Sequence, residues 1–211
     1  MKRQDSDIYR LIKEGEHQQQ DFKYAITSIS KIAHSLSAFA NTDGGRLLVG
    51  VRDDGRIAGV KSEEEIYMID AAARTFCSPE PVCKMESTQA EGHTILIAWT
   101  ERSPQRPVRA KEEDGTKKAY IRVKDENIVA SPVHLELWRQ EDSGEGELIP
   151  FTERERRLLG ALPESGEGMT LSRFCRGTNL PRKKAVQLLA NWIRYGVARI
   201  ELVDHKWVFF S

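Results

Sequence analysis

The chain has 211 residues, of which 39% are hydrophobic and 30% charged, the proportions of a folded globular protein rather than a disordered or fibrous one. That length holds one large or two modest domains, and two are expected. No apolar run approaches the roughly 18 residues of a membrane span, and the charged start MKRQDSDIYR lacks the apolar stretch of a secretion signal, so a cytoplasmic protein without a membrane partner is expected.

In chain order, Asp7 to Lys13 reads as a short opening helix, and Phe22, Tyr24 and Ile26 alternate as in a strand. From Ser28 the spacing of Ile29, Ile32, Ala33, Leu36, Phe39 and Ala40 predicts an amphipathic helix that ends at Asn41 to Gly45. LLVGV follows as a buried strand, with a hairpin signal at Asp54-Gly55. Ser62 to Cys77 reads as a helix with Ser62 as N-cap. Strands are expected in VCKMEST and HTILIAWT, and then at Val108 to Lys111 and Ala119 to Val123. Pro132 to Gln140 makes a brief helix before the polar, acidic RQEDSGEGEL. Cys77, Cys83 and Cys175 show no CxxC spacing and read as packing residues.

These features predict an α+β domain over 1–140, an acidic linker over 141–149 and a small winged helix-turn-helix over 150–211. In the last segment Thr152 and Glu155 have capping-box spacing, Thr170 opens LSRFCRGT, and Pro181 opens PRKKAVQLLANWIRYG. VARIELV and KWVFF then form a hairpin around Asp204-His205.

The overall charge is zero, yet it is unevenly spread. Residues 1–147 hold 21 Lys and Arg against 26 Asp and Glu, a net of −5, whereas residues 148–211 hold 11 against 6, a net of +5. A short, separable basic segment is the pattern to expect if one small domain meets phosphate. In its longest helix Ala185, Leu188, Leu189, Trp192 and Ile193 share one face, and Arg182, Lys183, Lys184, Gln187, Asn191 and Arg194 the other. Gln and Asn suit adenine edges, and the basic residues suit phosphate or guanine. Arg109, Lys111 and Arg122 belong to a second basic group of mixed charge, read either as a solvated hairpin or as a further nucleic-acid contact.

Glu16, Asp21 and Asp53, with Lys23, have the chemistry of a divalent-metal site acting on a phosphodiester, provided that the chain bends through His17 to Gln20 to bring the first two together. Asn41, Gly44 and Gly45 could offer backbone groups to an anion, with a helix-exit turn as the competing explanation.

Glu16-x4-Asp21-Phe22-Lys23, then Ala38-Phe39-Ala40-Asn41-Thr42-x-Gly44-Gly45, then Leu48-x-Gly50-Val51-x-Asp53-Asp54-Gly55 and Gly59-Val60 together resemble the Schlafen AlbA-type domain. The resemblance covers roughly residues 10 to 130. The family is widespread in bacteria, where its members are labelled as ATP-binding proteins or DNA-binding transcriptional regulators. The resemblance implies an AlbA-like mixed sheet with packed helices. In relatives with ribonuclease activity, the acids matching Glu16, Asp21 and Asp53 form a metal-dependent site, which would call for Mg or Mn.

Two departures stand out. The family's second acid is usually glutamate, here Asp21, and a later Arg-x-Gly block appears here as Arg122-Val123-Lys124. No GxxxxGK[ST] loop accompanies the ATP label. The expectation is therefore a transcriptional regulator that binds DNA or RNA and works as a homo-oligomer on paired half-sites. The alternatives are a Schlafen-type ribonuclease and a nucleotide-binding or dimerisation module.

Overall fold

The computed structural model describes residues 3–142 and 152–211, whose contacts gather into two units, one ending at Val129 and the other starting at Ala130. The first unit begins with helix α1 (Arg3–Glu14), strand β1 (Gln20–Lys23), helix α2 (Ile29–Asn41) and strand β2 (Gly45–Val49). A turn bridged at Val51 and Ile57 leads to helix α3 (Glu64–Ala71), which runs into a π-helical turn, Ala72–Phe76. Strands β3 (Cys77–Ser78), β4 (Cys83–Ala90), β5 (His93–Thr100), β6 (Arg109–Lys111), β7 (Lys117–Val123) and β8 (Glu126–Val129) complete the unit.

These strands form two sheets, ordered β1-β2-β5-β4 and β3-β6-β7-β8. The β1–β2 pair is parallel, and α2 is the crossover that a parallel pair needs. Side chains alternate across the first sheet, as strand geometry requires. Phe22, Leu48, Ile95 and Ile97 pack with Ile8 and Leu11 of α1, whereas Leu47, Val49, Leu96 and Ala98 pack with α2.

Ten of the 13 residues of α2 are buried. The expected apolar face is present, and the opposite face is buried too, because its residues are small or fully hydrogen-bonded. Ser37 Oγ donates to Val108 O (2.8 Å) and accepts from Tyr120 N (3.1 Å). Asn41 Nδ2 donates to Val108 O (2.8 Å) and Tyr120 O (2.9 Å), and its Oδ1 accepts from Val108 N (2.8 Å). The helix thus ties its own C-terminus to the second sheet.

Several boundaries differ from expectation. The first strand begins earlier, at Gln20, because His17 and Gln20 exchange backbone hydrogen bonds of 3.0 and 3.1 Å and close the preceding bend. The helix after Ser62 has Glu63 at its N-cap, without a side-chain bond. Asp54-Gly55 makes a turn with one bridge instead of a paired hairpin. Strand β8 was not anticipated.

The second unit contains helices α4 (Pro132–Asp142) and α5 (Glu153–Leu159), strand β9 (Met169–Thr170), helices α6 (Leu171–Thr178) and α7 (Arg182–Arg194), and strands β10 (Arg199–Val203) and β11 (Lys206–Phe210). Its antiparallel sheet has the order β10-β11-β9. Thr152 and Glu155 form the expected capping box, and Thr170 caps α6. The short β9 was not anticipated.

The expected boundary after residue 140 is displaced, because α4 packs here. Val133 joins Phe174, Leu189, Trp192 and Phe209 in one core, and Gln140 donates to Asn191 (2.8 Å). Residues 143–149 of the expected linker lie outside the described residues.

His134 of α4 lies edge-on to Trp207, with ring centroids 4.4 Å apart, and its Nδ1 accepts from Ser131 N at 3.2 Å. Burial pushes its pKa down to about 4 from an ordinary 6.5. The unfolded chain therefore binds the proton more tightly, and the stabilisation is complete above pH 6.5 and lost as the pH falls toward 4. Unfolding followed by tryptophan fluorescence is expected to show a loss of up to about 3 kcal/mol across that window, and His134→Gln is expected to remove this part of the pH dependence.

Candidate functional site

The bend at His17 to Gln20 carries the chain back on itself, so that Glu16 Oε1 accepts from Phe22 N at 2.8 Å. This is the reversal that Glu16 and Asp21 need in order to meet, and it sets their carboxyl groups close enough for each to shift the acidity of the other. Asp21 is 3% exposed. Its Oδ2 receives Lys23 Nζ at 2.8 Å and Ser35 Oγ at 3.0 Å, and its Oδ1 lies 3.5 Å from an Arg122 guanidinium nitrogen.

Arg122 is 2% exposed. Besides Asp21, its guanidinium donates to Gln20 O (2.9 Å), Asn127 Oδ1 (3.0 Å) and His17 O (3.4 Å), and it lies 5.3 Å from the centre of the Phe39 ring. A buried cation is tolerable only when surrounded by acceptors in this way. Arg122 is therefore withdrawn from the expected nucleic-acid contacts, since no phosphate can reach it.

The two carboxyls are driven apart in acidity. Burial would raise the pKa of Asp21, but the Lys23 ammonium, the neighbouring Glu16 carboxyl and the Arg122 guanidinium outweigh it and lower the value. Burial and the neighbouring Asp21 carboxyl raise that of Glu16, against the Phe22 N–H. Asp21 is thus the charged member, and Glu16 is the one that readily holds a proton.

Asp53 does not join them. It is exposed beside the Gly55 turn, and among the described residues no three His, Cys, Asp or Glu side chains are grouped to hold a metal ion. Both oxygens of Asp21 already have protein partners. The expected three-carboxylate set for Mg or Mn does not fit this arrangement.

The turn after α2 is also accounted for internally. The N–H groups of Thr42 (3.1 Å) and Gly44 (2.9 Å) both bond to Phe39 O, which is helix-exit geometry. A Cβ on Gly44, where φ is +70°, would lie 2.9 Å from Thr100 O, and one on Gly45 would overlap the Phe39 ring. Asn41 is 3% exposed with its side chain committed to the second sheet. These three residues hold the fold.

On α7, Arg182, Lys183, Lys184, Gln187 and Arg194 are exposed, as expected, and Ala185, Leu189 and Trp192 are buried. Asn191 differs. It is half-buried and bonded to Gln140, because α4 lies along that part of the helix. Arg109 is half-buried on β6, and the exposed Lys111 places its ammonium 5.9 Å from the Phe76 ring centre. Ser35, a partner of Asp21, was not picked out from the sequence, although a serine inside an apolar helix pattern signals a buried acceptor nearby.

Asp21→Asn would leave Arg122 buried without its anion. The variant is expected to lose about 3 kcal/mol of stability in denaturant titration, whereas Glu16→Gln, which keeps a hydrogen-bond donor toward Asp21, is expected to lose less than about 1 kcal/mol.

The solved structures similar to this chain include the following two. The crystal structure of the DIP2311 protein from Corynebacterium diphtheriae matches at 18% identity and a TM-score of 0.44, over 68% of this chain and 33% of that one. The chain thus spans about a third of that protein's length. The solution structure of the N-terminal domain of a RecG-related protein from Nitrosomonas europaea matches at 20% identity and a TM-score of 0.38, over 56% of this chain and 82% of that one. The Schlafen, AlbA_2 family model matches residues 16–131, a span that holds the Glu16–Asp21–Lys23 cluster, the buried Arg122 and both sheets of the first unit. The chain belongs to the Schlafen, AlbA_2 family.

Proposed function

We propose that this chain is a nucleic-acid-binding protein that acts as a DNA-binding transcriptional regulator, with the second unit as a winged helix-turn-helix. In this reading α7 is the recognition helix, α6 precedes it across a short turn in which Asn179 has φ +52°, and the β10–β11 hairpin is the wing. Membership of the AlbA_2 family supports the general class. Pairing of two copies on symmetric half-sites is the arrangement that would give such a small reader useful affinity.

One observation carries the proposal. The first turn of α7 holds Arg182, Lys183 and Lys184, has no acidic residue and has no side-chain cap. Cations at a helix N-terminus oppose the helix dipole, each costing about 0.3–1 kcal/mol. An approaching phosphate reverses that balance, because it is attracted by the side chains, the free N–H groups and the dipole together.

Replacing Arg182, Lys183 and Lys184 together by Ala is expected to weaken duplex DNA binding by at least tenfold and to reduce the slope of log K against log salt by about 2.7. Helix stability should stay level or rise. Undiminished, salt-dependent duplex binding by the triple variant would remove α7 from its assigned role.

A second reading, a metal-dependent ribonuclease, is favoured by the meeting of Glu16 and Asp21 beside Lys23. With Asp53 outside the group, structured and single-stranded RNA are expected to stay intact on incubation with Mn²⁺ or Mg²⁺. Cleavage abolished by Asp53→Asn would establish the enzyme instead.

A further inference from the structure

The first unit carries a cluster that neither the carboxyl pair nor α7 accounts for. Tyr24, immediately after β1, is 42% exposed. The Arg52 guanidinium lies 4.3 Å from the centre of its ring and the Lys61 ammonium 5.2 Å from it. Arg52 and Lys61 are both exposed, and among the described residues neither makes an ion pair with a carboxylate. The nearby Asp54 is held by Arg56.

Backbone bonds hold the three segments together. Gly50 N donates to Lys23 O (2.8 Å), Ala58 N (2.8 Å) and Gly59 N (2.9 Å) donate to Gly50 O, and Val60 N donates to Thr94 O (2.8 Å). The residues that follow or lie between these anchors are Tyr24, Arg52 and Lys61. They stand on a sheet end whose backbone is pinned, which suits a preorganised contact.

We propose that Tyr24, Arg52 and Lys61 form a binding site for single-stranded nucleic acid, separate from the duplex contact on α7. This rests on the nucleic-acid reading given above and extends it to the first unit. An aromatic ring with a guanidinium stacked on it offers a flat surface to one unpaired base, and the ammonium is placed for the adjoining phosphate. Two cations beside one ring repel each other until an anion joins them. A duplex, with its bases already stacked, offers no free face to such a surface.

The experiment uses the full chain and fluorescence anisotropy with three labelled probes: oligo(dT) and oligo(U) of 20 nucleotides, and a 20-base-pair DNA duplex. Arg52→Gln with Lys61→Gln, both at exposed positions, is expected to weaken single-strand binding about tenfold and to lower its salt slope by about 1.4. Tyr24→Ala is expected to weaken it about tenfold and Tyr24→Trp to restore it. Duplex affinity should not change in any of these variants. The two single-strand probes separate an RNA preference from a DNA one. Single-strand binding unchanged in both the double variant and Tyr24→Ala, with melting temperatures equal to wild type, overturns the site, as does duplex binding without any single-strand binding. Failure of the wild-type chain to bind any of the three probes overturns the nucleic-acid reading itself.

Discussion

The first unit depends on finding acceptors for one buried guanidinium. Arg122 sits on β7 in the second sheet, and its partners His17 O, Gln20 O and Asp21 lie about a hundred residues earlier, at the start of the first sheet. A cation held away from water leaves little freedom in where these groups go. The bend at His17 to Gln20 and the inward position of Asp21 are therefore parts of one arrangement. The acid block that marks the family is, at Asp21, an anchor between sheets, and its charge is spent on Lys23, Ser35 and Arg122.

Helix α2 makes the same connection by other means. Its serines and Asn41 turn a nominally polar face into one that bonds the edge of Val108 and the backbone of Tyr120. Small hydroxyl and amide groups allow close approach between helix and sheet and satisfy backbone groups that would otherwise be costly to bury. The Asn-Thr-x-Gly-Gly turn that ends the helix follows from this packing, with Phe39 O collecting two N–H groups and the Phe39 ring filling the space where a side chain on Gly45 would stand.

With the central acids and glycines accounted for by packing, the exposed cations of α7 and of the Tyr24 cluster stand apart from them. Those on the first turn of α7 stand against the helix dipole, and those beside Tyr24 crowd one ring. The first arrangement costs energy in the free protein, and in the second the attraction of each cation to the ring works against their mutual repulsion. Helix α4 narrows the exposed polar face of α7 by engaging Asn191, which leaves Arg182, Lys183, Lys184 and Gln187 exposed in its N-terminal half.

By itself the sequence determined the helices and most strands, because their signals are local. Thr152 caps where its spacing says, Ile32, Leu36 and Phe39 recur at helical intervals, and β5 is a continuous apolar run. It also showed the basic character of the last segment and the family blocks. Tertiary structure alone decided which charges are spent. Arg122 and Arg182 are both arginines in basic stretches, yet one meets carbonyls from a distant strand and the other meets solvent. Asp21 and Asp53 are both motif acids, but only Asp21 follows the bend that brings it to Glu16. The alliance of α4 with the second unit depended likewise on what Val133, His134 and Gln140 touch. Local spacing specifies an element and its faces, whereas the partner of a buried charge comes from wherever the chain returns, and that is set by long-range packing.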